Sequence, residues 1–209
     1  MKRSAFTMLE LVFVIIVVGI LAVLAMPDFR SNQLQQAAEQ IAAHIRYTQH
    51  LALVDDKYDT NDALWWQERW QIWFPYFTPA GGERIYYYEV FSDKNHLGNS
   101  NSDEEAIDPL TKESIGNGSA TVATLSDSST VNLTKRYGIN GVGGNCIAGG
   151  AYKPIAFDSL GRPYQDVYSG VYSNSLPQTG CSIYLQHKSD GNATITIRPE
   201  TGYVSVSYN

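Results

Sequence analysis

Phe6-Thr7-Met8-Leu9-Glu10-Leu11-Val12-Phe13-Val14-Ile15-Ile16-Val17-Val18-Gly19-Ile20-Leu21-Ala22-Val23-Leu24-Ala25-Met26 is the stretch that decides how this chain is organised. It holds 21 residues, carries one charge at Glu10, and follows the basic pair Lys2 and Arg3. About 20 helical residues, rising about 1.5 Å each, cross a hydrocarbon layer of about 30 Å, so the stretch predicts a transmembrane helix. Basic residues stay on the cytoplasmic side, which places everything beyond Met26 outside the cytoplasm in a single-pass protein. A cleaved signal peptide, with small residues near Val23-Leu24-Ala25, and a plain signal anchor are the competing readings. Neither accounts for Glu10, because an acidic side chain costs about 2.5 to 3.5 kcal/mol at the centre of a spanning helix and somewhat less near its end.

Beyond Met26, Pro27 removes a backbone donor and predicts a kink. The segment from Asp28 to Val54 then has an amphipathic pattern, with Leu34, Ala38, Ile41, Ile45, Thr48 and Ala52 at alternating steps of four and three. Ala37, Ala42 and Leu51 widen the stripe. The expectation is one long N-terminal helix from Phe6 to Val54, its first half transmembrane and its second half packed on a sheet. A coiled coil is the alternative, disfavoured by barely three heptads and little charge at the flanking positions.

The rest of the chain has the alternation and turns of strands. Candidates are Leu64–Phe77, Arg84–Phe91, Val131–Tyr137 and Ile155–Phe157, with an antiparallel meander of Ser182–His187, Ala193–Arg198 and Tyr203–Tyr208 at the end. Asp190-Gly191-Asn192 and Glu200-Thr201-Gly202 are its turns. Ser92–Thr130 and the glycine-rich Gly138–Gly150 are expected as loops. A helix followed by a mainly antiparallel sheet is an α+β arrangement.

Ala5-Phe6-Thr7-Met8-Leu9-Glu10-Leu11 resembles the cleavage and methylation segment of type IV prepilins and type II secretion pseudopilins. Glu10, Gly19 and Pro27 stand at spacings from Phe6 that are similar to those of the family. The residue before the cut is Ala5, where the family most often has Gly. The resemblance implies a pilin-like α+β fold, cleavage by the prepilin peptidase between Ala5 and Phe6, and N-methylation of Phe6. It also implies assembly at the inner membrane, through an assembly platform, into a pilus or pseudopilus in which N-terminal helices pack together. In such packing Glu10 would neutralise the new amine of Phe6 in a neighbouring subunit. The implied partition is a leader at 1–5, an assembly helix at 6–26, its amphipathic continuation at 27–54 and an exported β-rich domain at 55–209. Ile155-Ala156-Phe157-Asp158-Ser159-Leu160-Gly161-Arg162-Pro163, with the hairpin through Ile197-Arg198-Pro199-Glu200-Thr201-Gly202-Tyr203-Val204, looks like the GspH/FimT group of minor subunits.

Cys146 and Cys181 are the only cysteines, and an even pair in an exported domain predicts a disulfide. The loop from Asp93 to Glu104 offers Asp93, Asn95, Asn99 and Glu104 as candidate calcium ligands, with Gly98 at its sixth position. Leu97 occupies a position normally held by a ligand, and the alternative is an acidic solvated turn. No other cofactor is implied.

Zinc-protease, phosphate-loop and nucleophile-elbow motifs do not occur, and the four histidines are scattered, so catalysis is not expected. Some FimT-like relatives capture DNA through basic C-terminal residues, an alternative function. Here Thr201–Asn209 has no Lys or Arg, and beyond the first five residues 13 basic side chains face 21 acidic ones. That balance disfavours nucleic acid as a partner.

Overall fold

The computed structural model describes residues 7–25, 32–116, 131–147, 153–170 and 179–209. Two compact units divide between Asn32 and Gln33.

In the first unit, α1 (Met8–Ala25) is opened by Thr7. The Thr7 carbonyl accepts the N–H groups of Glu10 and Leu11 at 3.1 and 3.2 Å, and its hydroxyl oxygen accepts the Glu10 N–H at 3.3 Å. A threonine followed three residues later by glutamate is the sequence form of a capping box, and an acid in the first turn favours the helix dipole. Past that turn the helix is apolar on every side, and each residue from Thr7 to Ala22 is exposed.

The expected single helix from Phe6 to Val54 does not form. α1 and α2 (Gln33–Val54) are separate elements of 18 and 22 residues, and Asn32, immediately before α2, is not helical. Asparagine is among the residues favoured at helix starts, and α2 buries its stripe inside its own unit. At about 1.5 Å per residue the 18 described residues of α1 extend about 27 Å. Among the described residues no helix is long and apolar enough to cross a membrane, so the expected transmembrane first half is not found there. Pro27, the expected kink, lies outside the described residues.

Among its described residues the second unit contains α2 and three sheets rather than one. Its elements are β1 (Gln71–Trp73), β2 (Tyr76–Phe77), β3 (Ile85–Tyr86), β4 (Glu89–Phe91), α3 (Leu133–Tyr137), β5 (Ile139–Gly143), β6 (Ile155–Phe157), β7 (Pro163–Gln165), β8 (Cys181–His187), β9 (Gly191–Ile197) and β10 (Val204–Tyr208). One sheet has the order β10-β9-β8-β5, a second β4-β1-β6-β7, and β2 pairs with β3; every pairing is antiparallel.

Leu34, Ala38, Ile41, Ile45, Thr48 and Ala52 are buried along α2, together with Ala37, Ala42 and His44. The alanines let the helix backbone come close to the sheet formed by β8, β9 and β10. Across that sheet Ile183 faces Ile195 and Leu185 faces Ala193, so each strand gives alternate side chains to the core. Polar side chains of α2 tie it to the turns: Arg46 Nη2 donates to the Val204 carbonyl at 3.0 Å, and Gln49 Nε2 donates to the Gly161 and Thr201 carbonyls at 2.8 Å each.

Two segments differ from expectation. Val131–Tyr137 contains the short helix α3 instead of a strand, because Asn132 caps it by accepting the Lys135 N–H at 3.0 Å and Gly138 ends it at φ +66°. The glycine-rich segment after it holds the edge strand β5 rather than a loose loop, with a register shift between Ile139 and Gly141. Two of its glycines allow close approach to β8: a Cβ on Gly141 would meet the Gln186 side chain, and at Gly144, φ +124°, a Cβ would lie 2.0 Å from the Ser182 carbonyl oxygen.

Candidate functional site

Of the residues expected at the N-terminal site, Ala5 and Phe6 lie outside the described residues. Glu10 stands in the first turn of α1, exposed, on a helix whose other side chains from Met8 to Ala22 are uncharged. Met8 is 86% exposed and Phe13 66%. Covering a surface of this kind with other apolar surface is favourable. The single carboxylate then has to be matched by a cation or a proton, since a desolvated charge left unpaired is costly.

The disulfide between Cys146 and Cys181 is present and joins the segment after β5 to the first residue of β8. Both cysteines are buried, and the same corner is closed by hydrogen bonds from the Cys146 N–H to the Ser182 carbonyl and from the Ser182 N–H to Asn145 Oδ1.

The Asp93–Glu104 loop is built around buried carboxylates. Asp93 is fully buried and accepts the N–H groups of Leu97 and Gly98 at 3.1 and 2.9 Å, as well as the Tyr168 hydroxyl at 3.0 Å. Glu104, 2% exposed, accepts the N–H groups of Asn95 and Asn101 and the Asn101 side-chain amide. Asn95 Oδ1 accepts the Leu97 N–H, while the Asn99 side-chain amide donates to the Ser100 carbonyl. Asp93, Asn95 and Glu104 thus already accept hydrogen bonds at their candidate ligand oxygens, whereas calcium takes six to eight oxygens. These acids brace the turns that carry them.

Asp158 plays the same part in the Ile155–Pro163 motif. It is buried, accepts the N–H groups of Leu160 and Arg162 at 3.0 and 2.8 Å, and pairs with the Arg162 guanidinium at 2.7 Å. Nearby, Trp65, Trp70 and Arg69 line a cleft with Asp158 and Arg162. The Arg69 guanidinium lies over the rings of Trp65 and Tyr164 at 5.1 and 4.8 Å.

Two histidines occupy polar clusters that sequence reading missed. His44, buried on α2, sits between the Tyr88 hydroxyl and Asp108. Burial pushes its pKa below the ordinary value of 6.5, against the opposing pull of Asp108. His96, in the acidic loop, faces Asp62 and Glu68. Burial raises the Glu68 pKa, and its contact with the Asp62 carboxyl raises it further. Neither cluster has a sequence signature, because Glu68 and His96 stand far apart along the chain. No family model matches this chain, and neither a curated protein nor a solved structure matches it.

Proposed function

We propose that this chain is a structural subunit of a filament of the type IV pilus or type II secretion pseudopilus kind, entering its filament through α1. The observation that carries this reading is α1 itself, exposed and apolar on every side, with Glu10 as its one charge. Such a helix is stable only when covered, and a bundle of the same helix from neighbouring subunits covers it on all sides. After a cut between Ala5 and Phe6 the new amine would lie four residues before Glu10, within reach of that carboxylate in the same or a neighbouring subunit. The prepilin peptidase and an assembly platform would be the partners before assembly. The buried disulfide supports folding of the second unit in an oxidising compartment outside the cytoplasm.

The test is intact-mass and N-terminal analysis of the chain purified from cells that carry a prepilin peptidase. The expected product begins at N-methylated Phe6. A product that keeps residues 1–5, or one cut near Ala25, would overturn the reading.

A further inference from the structure

Asp62 lies between α2 and the short 3-10 helix Trp65–Glu68, Glu68 ends that helix, and His96 lies in the loop beyond β4. Their ligating atoms all fall within 4.8 Å of one another. His96 Nε2 is 3.3 Å from Asp62 Oδ2 and 3.4 Å from Glu68 Oε1. Both contacts are longer than the usual N–H···O distance of about 2.7 to 3.2 Å, and neither has the geometry of a hydrogen bond. Nε2 is also shut off from solvent and has no hydrogen-bond partner. A buried ring nitrogen aimed between two carboxylates, and bonded to neither, lacks something at the centre.

The spacing indicates what fits there. A tetrahedral ion with bonds of about 2.0 to 2.1 Å to imidazole nitrogen and carboxylate oxygen holds those atoms about 3.3 to 3.4 Å apart along each edge. The two edges at His96 have those lengths. Two carboxylates and a neutral imidazole match the charge of a dication. The donor set of one nitrogen and two oxygens suits zinc and its neighbours rather than calcium or magnesium, which need six or more oxygens. The side chains of His96, Asp62 and Glu68 keep 20, 27 and 25% of their surface exposed, so the cluster lies near the surface although Nε2 itself is covered.

We propose that Asp62, Glu68 and His96 bind one divalent transition-metal cation of the zinc type through Oδ2, Oε1 and Nε2, with water as the fourth ligand. The ion ties the segment after α2 to the acidic loop after β4, joining stretches distant in sequence. Binding only the folded state, it raises the stability of the second unit. The proposal is independent of the filament reading.

The full chain in detergent, stripped with a chelator, is titrated with Zn²⁺ alone by calorimetry, and its thermal unfolding is followed with and without the ion. One equivalent is expected to bind with micromolar or tighter affinity and to raise the Tm. Co²⁺ in its place is expected to give the visible absorption of a tetrahedral site. His96→Ala, Asp62→Asn and Glu68→Gln should each weaken binding at least tenfold, while His50→Ala, at an exposed histidine of α2, should not. The two amide variants keep side-chain shape and serve if His96→Ala fails to fold. No saturable uptake below millimolar Zn²⁺, or uptake unchanged in Asp62→Asn and Glu68→Gln, would overturn the proposal.

Discussion

The Tyr88 hydroxyl and Nδ1 of His44 lie 2.8 Å apart in the core of the second unit. Gln40 Nε2 donates to the same hydroxyl at 2.7 Å, so the tyrosine proton is directed to His44. His44 therefore accepts at Nδ1 and turns Nε2 toward Asp108, 3.6 Å away. The imidazole is held neutral by burial, its pKa below 6.5.

From this follows a pH dependence of stability. As pH falls below about 6.5 the unfolded chain takes up a proton at His44 before the folded chain does, so stability declines until the folded pKa is passed. Denaturant unfolding between pH 5 and 8 should show this slope, and His44→Gln should flatten it. Tyr88→Phe, which leaves the His44 and Gln40 side chains without a shared partner, should cost about 1 to 2 kcal/mol. An identical slope in His44→Gln would mean that other groups set it.

Asp158 is the organising residue of the Ile155–Pro163 motif. Removing it leaves two turn amides and the Arg162 guanidinium without their acceptor. Asp158→Ala should cost about 2 to 3 kcal/mol, discounted from the sum of its bonds because Arg162 is partly exposed, and Asp158→Asn about half as much. Equilibrium unfolding of both variants checks the order.

The disulfide closes a loop of 35 residues. Replacing Cys146 and Cys181 together by Ala should lower stability by about 3 to 4 kcal/mol in the chain-entropy account. Because both sulfurs are buried, reduction of the native protein should be slow until the unit unfolds. Thiol counting against time in native and denaturing buffer separates the two conditions.

Calcium should leave the protein unchanged. The Asp93 and Glu104 carboxylates already accept backbone N–H groups, so millimolar calcium should not shift the Tm. Asp93→Ala should lower the Tm equally with and without the ion, since its role is to hold the Leu97 and Gly98 amides.

The terminal hairpins and the α2 stripe were legible because their periods are clean: Cys181, Ile183 and Leu185 alternate with polar neighbours, and Leu34 to Ala52 steps by four and three. Val131–Tyr137 misled because its β-branched and aromatic residues match strand propensity, while the Asn132 cap and Gly138 stop decide the outcome. β5 was hidden by its glycines, and the close approach of Gly141 to Gln186 and of Gly144 to the Ser182 carbonyl exists only in three dimensions. A stretch of 21 residues with a single charge suggested a span, whereas the described residues hold a helix of 18 residues, Met8–Ala25, and a separate α2. The acidic loop was visible as acidic, but which amides its carboxylates meet was not. Asp62, Glu68 and His96 come together only through the fold.

The central claim concerns Glu10, and the Thr7–Glu10 geometry makes a clean variant available. Glu10→Gln keeps a residue suited to the capping box and keeps the backbone bonds to Thr7, but removes the charge. In cells with the full assembly machinery, the amount of processed Glu10→Gln protein in sheared, sedimented filaments is the measurement that tests the account most directly. The account predicts normal cleavage and a loss of at least tenfold from the filament fraction. Recovery in filaments at the level of the unaltered chain would contradict it.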